Sequence, residues 1–384
     1  IPSKPNITEA REVDIKDLLG REPVAPNEKL LKIQISDKVV MVTGAGGSIG
    51  SELCRQILFL KPKRLVLFEI SESSLYKIER ELEEINILGI DVLPILGSVR
   101  DRQRLEKICR YFSVQTIYHA AAYKHVPLVE YNNSEAVLNN TLGTQTIAEV
   151  AIATKVECFV LVSTDKAVRP TNTMGATKRV AELALQALSL QKHSTCFKMV
   201  RFGNVLDSSG SVIPLFKKQI KDGGPVTVTD VNMVRYFMTI PEAVELVIQA
   251  GAMGNSGNIF VLDMGEPVRI YDLAKKMIQL SNLHVLDDAN PYGDIEIKYI
   301  GLRPGEKLYE ELLVGGHSIE TDNPLIMKAE EVMPDMAKLQ IILEQLKEAT
   351  KNSNQQKVRD LLIEAVPDFK PQCDISDLRF DKES

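Results

Sequence analysis

Residues 39–58 read VVMVTGAGGSIGSELCRQIL: a β-branched run, a glycine-rich turn and an amphipathic stretch in direct succession. The run Val39–Thr43 predicts a buried strand, and Ser48–Phe59 predicts the helix that follows it. Between them Gly44, Gly47 and Gly50 have the spacing TGxxGxxG rather than GxGxxG, and Gly46 adds a further position without a side chain. Such a turn lets backbone, including the amides of Ser48 and Ile49, approach a pyrophosphate at the helix N-terminus. Glu69 closes the next predicted strand about 20 residues on, where an acid accepts from adenosine ribose hydroxyls. Its charge would repel a 2′-phosphate, which favours NAD over NADP. Glycines alone could mark no more than a tight turn. Strand, turn, helix and acid in this order mark a dinucleotide site.

Working outward, short apolar runs alternate with longer amphipathic ones. Strands are expected at Arg64–Glu69, Asp91–Leu96, Thr116–His119, Cys158–Ser163 and Phe197–Phe202, and helices at Ser73–Leu88, Asp101–Tyr111, Ser134–Lys155 and Met174–Gln191. This alternation predicts an α/β fold with a Rossmann-type, doubly wound parallel sheet. Residues 1–36 read as a polar arm with one helical turn around Asp14–Leu19, and residues 37–203 as the dinucleotide-binding domain. Residues 204–330 read as a smaller mixed lobe, some of whose elements can return to the sheet. Residues 331–384 read as C-terminal helices and a charged tail.

The 384 residues are 44% hydrophobic and 26% charged, suited to one large or two fused globular units. A formal charge of −6 offers no basic face for nucleic acid. The five cysteines show no CxxC pair and no histidine cluster, which points to thiols in a reducing compartment and to no zinc site. No run approaches the roughly 18 apolar residues of a membrane span.

Loops at the carboxyl edge of a parallel sheet are where ligands bind. Ser98 and Val99 follow the third strand. In HAAAYKHVPLVE (119–130), Ala120, Ala121 and Ala122 let a cofactor lie against backbone, and Lys124 and His125 are placed to contact a substrate. Asn140 and Thr144 would either contact the cofactor or brace a loop. After the fifth strand comes STDKAVRPTNTMGATK (163–178), with Thr164, Asp165 and Lys166 at the strand end. Met174 and Lys178, at i and i+4, share a helix face. A base beside a helper lysine would suit that face, yet a thioether takes no proton. Further on, Asn204 offers a phosphate or sugar contact, and Ser211, Val212 and Pro214 open a helix whose amides can face a diphosphate. Arg235 and Arg303 present planar forks that match phosphate oxygens. Glu306 could accept from ribose hydroxyls.

Taken together, TGxxGxxG, HAAAYKHVPLVE, STDKAVRPTNTMGATKR, RFGNVLDSSGSVIPLF and GLRPGEKLYEE resemble the extended short-chain dehydrogenase/reductases. More narrowly they resemble the polysaccharide-biosynthesis UDP-N-acetylglucosamine 4,6-dehydratases, over residues 38–330. The resemblance implies bound NAD and a UDP-sugar substrate. It implies Asp165 as the acid for the departing C6 hydroxyl, Lys166 as the base at C5, and Lys178 as the charge at the nicotinamide ribose. Asp165 should then be raised, and Lys166 lowered, from its solution pKa. Thr227 and Val228 fall where the family cradles uracil. Family members often have Asp at Ser98, and most of the superfamily has Tyr at Met174. The large membrane-associated dehydratases are the branch where Met is usual, and for them retention at C5 is expected. The 4-hydroxyl proton could leave through Thr164 to water, or directly to Asp165, with Met174 as packing.

The same resemblance implies that VDIKDLLGREPV (13–24) follows missing membrane helices, with the chain as the catalytic part at the cytoplasmic face of the bacterial inner membrane. It also implies a homodimer or larger homo-oligomer built on the helices at 134–155 and 174–191. A C4 epimerase, or a non-catalytic nucleotide-sugar sensor, would share much of this pattern.

Overall fold

Nine strands form one sheet in a computed structural model that describes residues 25–303, 305–311, 318–331 and 335–377. They are β1 (Val39–Thr43), β2 (Arg64–Glu69), β3 (Asp91–Leu96), β4 (Thr116–His119), β5 (Cys158–Val162), β6 (Cys196–Arg201), β7 (Asn258–Leu262), β8 (Ser318–Glu320) and β9 (Ile326–Ala329). Their order across the sheet is β8-β9-β7-β6-β5-β4-β1-β2-β3. Strands β1 to β7 run parallel, whereas β9 pairs antiparallel with β7, and β8 with β9. The winding reverses between β1 and β4, which opens a crevice at their carboxyl ends.

Helices cover both faces. The numbered helices are α1 (Glu28–Ile33), α2 (Ser48–Phe59), α3 (Glu72–Ile85), α4 (Arg102–Phe112), α5 (Val126–Glu130), α6 (Asn133–Ala136), α7 (Thr144–Ala153), α8 (Thr173–Ser189), α9 (Val212–Lys221), α10 (Ile240–Gly251), α11 (Ile270–Leu280), α12 (Met336–Lys351) and α13 (Gln355–Ala365). On one face Leu53 and Ile57 of α2 and Val244 and Val247 of α10 pack on Val40, Val42 and Val160. On the other, Leu105 of α4, Ile147 of α7 and Leu185 of α8 pack on Met41, Ile117 and Phe159. Burying each such side chain contributes about 1.5–3 kcal/mol, which is why β1, with all five residues buried, reads as an unbroken apolar run.

Three expectations need correction. Residues 28–36 are not a free arm: Asn27 caps α1, its amide donates to Gln249 Oε1 (3.1 Å), and Ile35 is fully buried. The turn expected at Asp14–Leu19 lies outside the described residues. The helix expected over 134–155 is divided into α6, a π-helical turn at Val137–Gly143, and α7. Among the described residues of 204–330 a small core forms around Ile213, Phe216, Val226 and Ile278, while β7, β8 and β9 join the main sheet. Finally, part of the surface expected to pair two subunits is covered within the chain. Leu339, Ile342 and Leu346 of α12 and Leu361 and Leu362 of α13 pack on Val137, Ala176, Val180 and Leu183. No described helix is long and apolar enough to cross a membrane.

Candidate active site

The turn after β1 carries the first half of the site. Gly44 has φ +67°, and a Cβ on Gly50 would stand 1.9 Å from the Gly44 carbonyl oxygen, so helix α2 starts against the turn only without a side chain there. Around it opens a cavity of about 600 Å³, lined by Gly44, Gly47, Ser48, Glu69, Ser98, Val99 and Ala120–Ala122, together with Asn139 and Asp207. Glu69 is buried in its wall. Its Oε2 accepts from Gly46 N (3.0 Å), and its Oε1 accepts from Ile70 N (2.8 Å) and Ser71 N (2.9 Å). The glycine corner, the amides at the start of α2 and this fixed carboxylate fit an adenosine diphosphate moiety.

A second cavity, about 210 Å³, adjoins the first through Ala120, Ala122 and Tyr123. It is lined by Ile49, Lys124, Thr164, Lys166, Met174, Lys178, Asn204 and Ser211. Here β5 ends and the chain enters a 3₁₀ turn, Asp165–Ala167, capped by Thr164. The Thr164 hydroxyl donates to Asp165 Oδ1 at 2.9 Å, and Lys166 Nζ lies 3.2 Å from the same oxygen. Helix α8 reaches this turn because residue 175 is glycine: a Cβ there would stand 2.1 Å from the Lys166 carbonyl oxygen. That approach sets Met174 and Lys178 against the cavity.

Burial, with the nearby charge of Glu310, pushes Asp165 up to about 7, as expected for a group that must carry a proton near neutrality. Lys166 contradicts expectation. Burial alone would lower it, but Asp165 and Glu310 outweigh that and hold it above the ordinary lysine range. Its resting form is the ammonium. Lys178, whose Nζ donates to the Val162 carbonyl oxygen (2.7 Å), is lowered by burial to about 8.

Residues 40–331 match the model of a family described as polysaccharide biosynthesis protein. The chain belongs to that family. Over 307 residues it is 51% identical to the capsular polysaccharide biosynthesis protein CapD of Staphylococcus aureus, a match covering 80% of this chain and 50% of CapD. The chain thus spans about half the length of the first curated relatives it matches. A UDP-glucose 4-epimerase of Rickettsia rickettsii is 33% identical over 292 residues, 75% of this chain and 81% of the epimerase. Among solved structures, Pen from Bacillus thuringiensis superposes with a TM-score of 0.69 at 36% identity, covering 78% of this chain and 87% of Pen. The dTDP-glucose 4,6-dehydratase DesIV from Streptomyces venezuelae, solved with NAD and TYD bound, has the same fold at a TM-score of 0.63 and 20% identity, over 83% of this chain and 98% of DesIV.

Not every residue singled out from the family's motifs reaches the site. Arg235 does not present its fork to the cavity. Its Nε lies 3.1 Å from Glu310 Oε1, and its Nη atoms donate to the carbonyl oxygens of Val234 (2.8 Å), Lys307 (2.8 Å) and Leu308 (3.2 Å). The fork is consumed in holding the 305–311 segment. Arg303 is exposed, and its amide donates to Glu306 Oε2 (3.2 Å); Thr227 exchanges hydrogen bonds with Gln219. Arg303, Glu306, Thr227, Val228, Val212 and Pro214 line neither cavity. The ring of His125 lies against Gly210, outside both cavities. Of the two roles open to Asn140, bracing is observed: its side chain accepts from Tyr123 N (2.8 Å) and donates to Tyr123 O (2.9 Å). Thr144 does the same work through Asn140 O and His119.

One charged residue at the heart of the site was not foreseen. Glu310 lies 2.7 Å from Lys166 Nζ and accepts from Asn204 Nδ2 at 2.8 Å, with its side chain only 4% exposed. Its motif, GLRPGEKLYEE, holds three glutamates. Nothing in their spacing tells which one turns inward.

Proposed function

We propose that this chain carries out the 4,6-dehydration of a UDP-sugar, most suitably UDP-N-acetylglucosamine, with NAD in the glycine-cornered cavity. The observation that carries the reading is Asp165. It is a buried carboxyl raised to about 7, held between a threonine hydroxyl and a lysine ammonium, just behind Thr164 and Lys166, which line the second cavity. A C4 epimerase needs no such group, because nothing departs from C6. Membership of the polysaccharide-biosynthesis family is in keeping with a nucleotide-sugar substrate.

When bound, NAD supplies a reversible hydride acceptor, so the hydride leaving C4 comes back at C6 and the reaction is redox-neutral. The proton work falls to the chain. Thr164 holds the 4-hydroxyl, and ionised Asp165 takes its proton. A carboxyl near 7 is divided between both forms at neutral pH, which suits a group that accepts and then donates. With Asp165 neutral, Lys166 loses one of its two anionic partners, and its side chain, 21% exposed, can release a proton to water. The resulting amine removes the C5 proton, acidified by the C4 ketone, while Asp165 gives its proton to the C6 oxygen. The C6–O bond breaks, water leaves, and Lys166 returns a proton to C5. Lys178 provides positive charge near the developing C4 oxyanion, and Met174 packs. Within this reading Thr227, Val228, Arg303, Glu306 and Asn204 keep the nucleotide roles that the family implies, and Arg235 does not. Retention at C5, and anchorage of a longer protein at the cytoplasmic face of the bacterial inner membrane, belong to the same proposal.

The test is mass spectrometry after incubating the protein and NAD with UDP-N-acetylglucosamine in deuterium oxide. Loss of water with one deuterium gained at carbon is expected. An unchanged mass would overturn the dehydratase, and a galacto isomer in the same sample would put an epimerase in its place.

A further inference from the structure

Behind the cavity the second site carboxylate has no task in the chemistry above. Glu310 comes from the 305–311 segment, far along the chain from the 3₁₀ turn, yet its carboxylate closes on the same ammonium. Lys166 Nζ lies 3.2 Å from Asp165 Oδ1 and 2.7 Å from Glu310 Oε1. Glu310 Oε2 accepts from Asn204 Nδ2 (2.8 Å), and Asn204 Oδ1 accepts from Lys166 Nζ (3.3 Å), so carboxylate, amide and ammonium form a closed ring of contacts. Among the described residues no donor reaches Asp165 Oδ2, which is buried. Glu310 is placed to hydrogen-bond Asp165 once one of the two carboxyls carries a proton.

The segment is held firmly enough to make this contact specific. Arg235 grips the backbone at residues 307 and 308, Lys307 Nζ donates to Arg169 O (2.7 Å), and Asn172 Nδ2 donates to Gly305 O (3.0 Å). Glu310 is therefore braced over the turn that carries Thr164, Asp165 and Lys166, and it lines neither cavity.

We propose that Glu310 is a positioning residue for the Asp165–Lys166 pair: it shares a proton with Asp165 and fixes the ammonium of Lys166 between the two carboxylates. The assignment takes its chemical purpose from the dehydratase reading, but its measurement does not depend on that reading. The charges facing Asp165 are Lys166 on its own turn and Glu310 from the 305–311 segment, with Arg235 and Lys307 behind them. Two carboxylates this close do not both ionise freely. Glu310 has two cations, Lys166 and Arg235, which outweigh its burial and hold it below the ordinary range. Asp165 has only Lys166, so the proton rests on Asp165. Glu310 also opposes deprotonation of Lys166, which ties release of that proton to the moment when Asp165 becomes neutral.

The experiment is an infrared pH titration of the carboxyl band, with Asp165 identified by its loss in Asp165→Asn, on protein without substrate. In the unsubstituted chain the Asp165 midpoint should lie near 7. A midpoint in the ordinary aspartate range would overturn the proposal without recourse to any Glu310 variant. In Glu310→Gln the midpoint should fall by about one unit or more, and in Glu310→Asp it should stay above that of the Gln variant. An unmoved midpoint in Glu310→Gln would reduce Glu310 to a structural contact and overturn the proposal. The pH profile of turnover gives the second readout. Because ionised Asp165 starts the reaction, the acidic limb should move to lower pH in Glu310→Gln, whereas a merely structural role would lower turnover at every pH alike. If no UDP-sugar is dehydrated at all, the proposed function fails, while the titration still decides the role of Glu310.

Discussion

Two buried clusters of four charges flank helix α8, one before its start and one along it, and they are built to opposite ends. One is Asp165, Lys166, Glu310 and Arg235. The other is Glu182 on α8, Arg201 on β6, Arg179 and Glu331. In the second, Arg201 donates to Glu182 through Nε (2.8 Å) and Nη2 (2.5 Å) and also pairs with Glu331, and Arg179 reaches Glu182 (3.0 Å) and Glu331 (2.7 Å). Ser163 Oγ adds a hydrogen bond to Glu182 at 2.6 Å. Burial would raise Glu182, but Arg201, Arg179 and Ser163 hold it down to about 2. In the first cluster a single ammonium is divided between two carboxylates, the second cation reaches only one of them, and Asp165 rises to about 7. Equal numbers of charges thus give a permanently ionised brace in one place and a proton carrier in the other. The difference is geometry: guanidinium forks satisfy carboxylates in pairs, whereas an ammonium acts as a point charge.

The sharpest way to break this comparison is to neutralise one carboxylate in each cluster. Asp165→Asn should cost on the order of 10² to 10⁴ in dehydration rate, the usual scale for losing a general acid–base group, with the fold intact. Full turnover in that variant, followed by product formation from UDP-N-acetylglucosamine, would rule out the acid role. Glu182→Gln should instead cost about 3–5 kcal/mol of stability, because Arg201, fully buried, would lose its principal partner. Denaturant unfolding of the variant measures it, and a loss below about 1 kcal/mol would show that Glu331 alone satisfies both arginines.

The two carboxylates should also bend the stability curve in opposite senses. In the unfolded chain Asp165 loses its proton near pH 4, but in the folded chain it keeps it to about 7. Between those values the folded state binds more protons, so the Asp165 contribution to stability falls as pH rises. Glu182 is depressed to about 2, so its contribution is complete above the ordinary glutamate range and is lost as pH falls towards 2. Against the unsubstituted chain, Asp165→Asn should therefore gain relative stability from pH 4 to 7. A flat difference across that range, from melting curves, would mean that Asp165 titrates as an ordinary aspartate.

How far this could be read from the residues follows the same division between local and distant contacts. The first six strands of the sheet stand within a residue of expectation, because β-branched apolar runs between amphipathic stretches carry their own period. Thr164, Lys166 and Lys178 meet at one cavity wall, with Asp165 buried behind them, because they lie on a single strand–turn–helix unit. Contacts between remote segments were not legible. Glu310 is 145 positions beyond Asp165, and Arg235 looked like a phosphate clamp because its planar fork suits carboxylate, carbonyl and phosphate alike. The lowered lysine expected at 166 failed for the same reason: burial was foreseeable, and the second carboxylate was not. The π-helical turn at Val137–Gly143 was likewise hidden, since an apolar period of 3.6 does not reveal one extra residue.

The smallest expected effect concerns Met174, and it tests whether the proton traffic is confined to the Asp165 cluster. Met174 is 3% exposed and packs with Val126, Val129 and Ala136, while part of it faces the cavity that holds Lys166 and Lys178. A thioether there can fill space but cannot move a proton at any pH. Met174→Leu keeps the volume and apolar character, and such exchanges usually cost less than about 1.5 kcal/mol. Turnover should fall by no more than about threefold, under 1 kcal/mol of barrier, with no change in the shape of its pH profile. A drop on the order of 100-fold at unchanged stability would make the flexible sulfur side chain a participant in binding the sugar or the nicotinamide. A changed pH profile would be more damaging still. It would mean that the environment of Lys178, one turn along the same helix, governs a proton that has been assigned to Asp165.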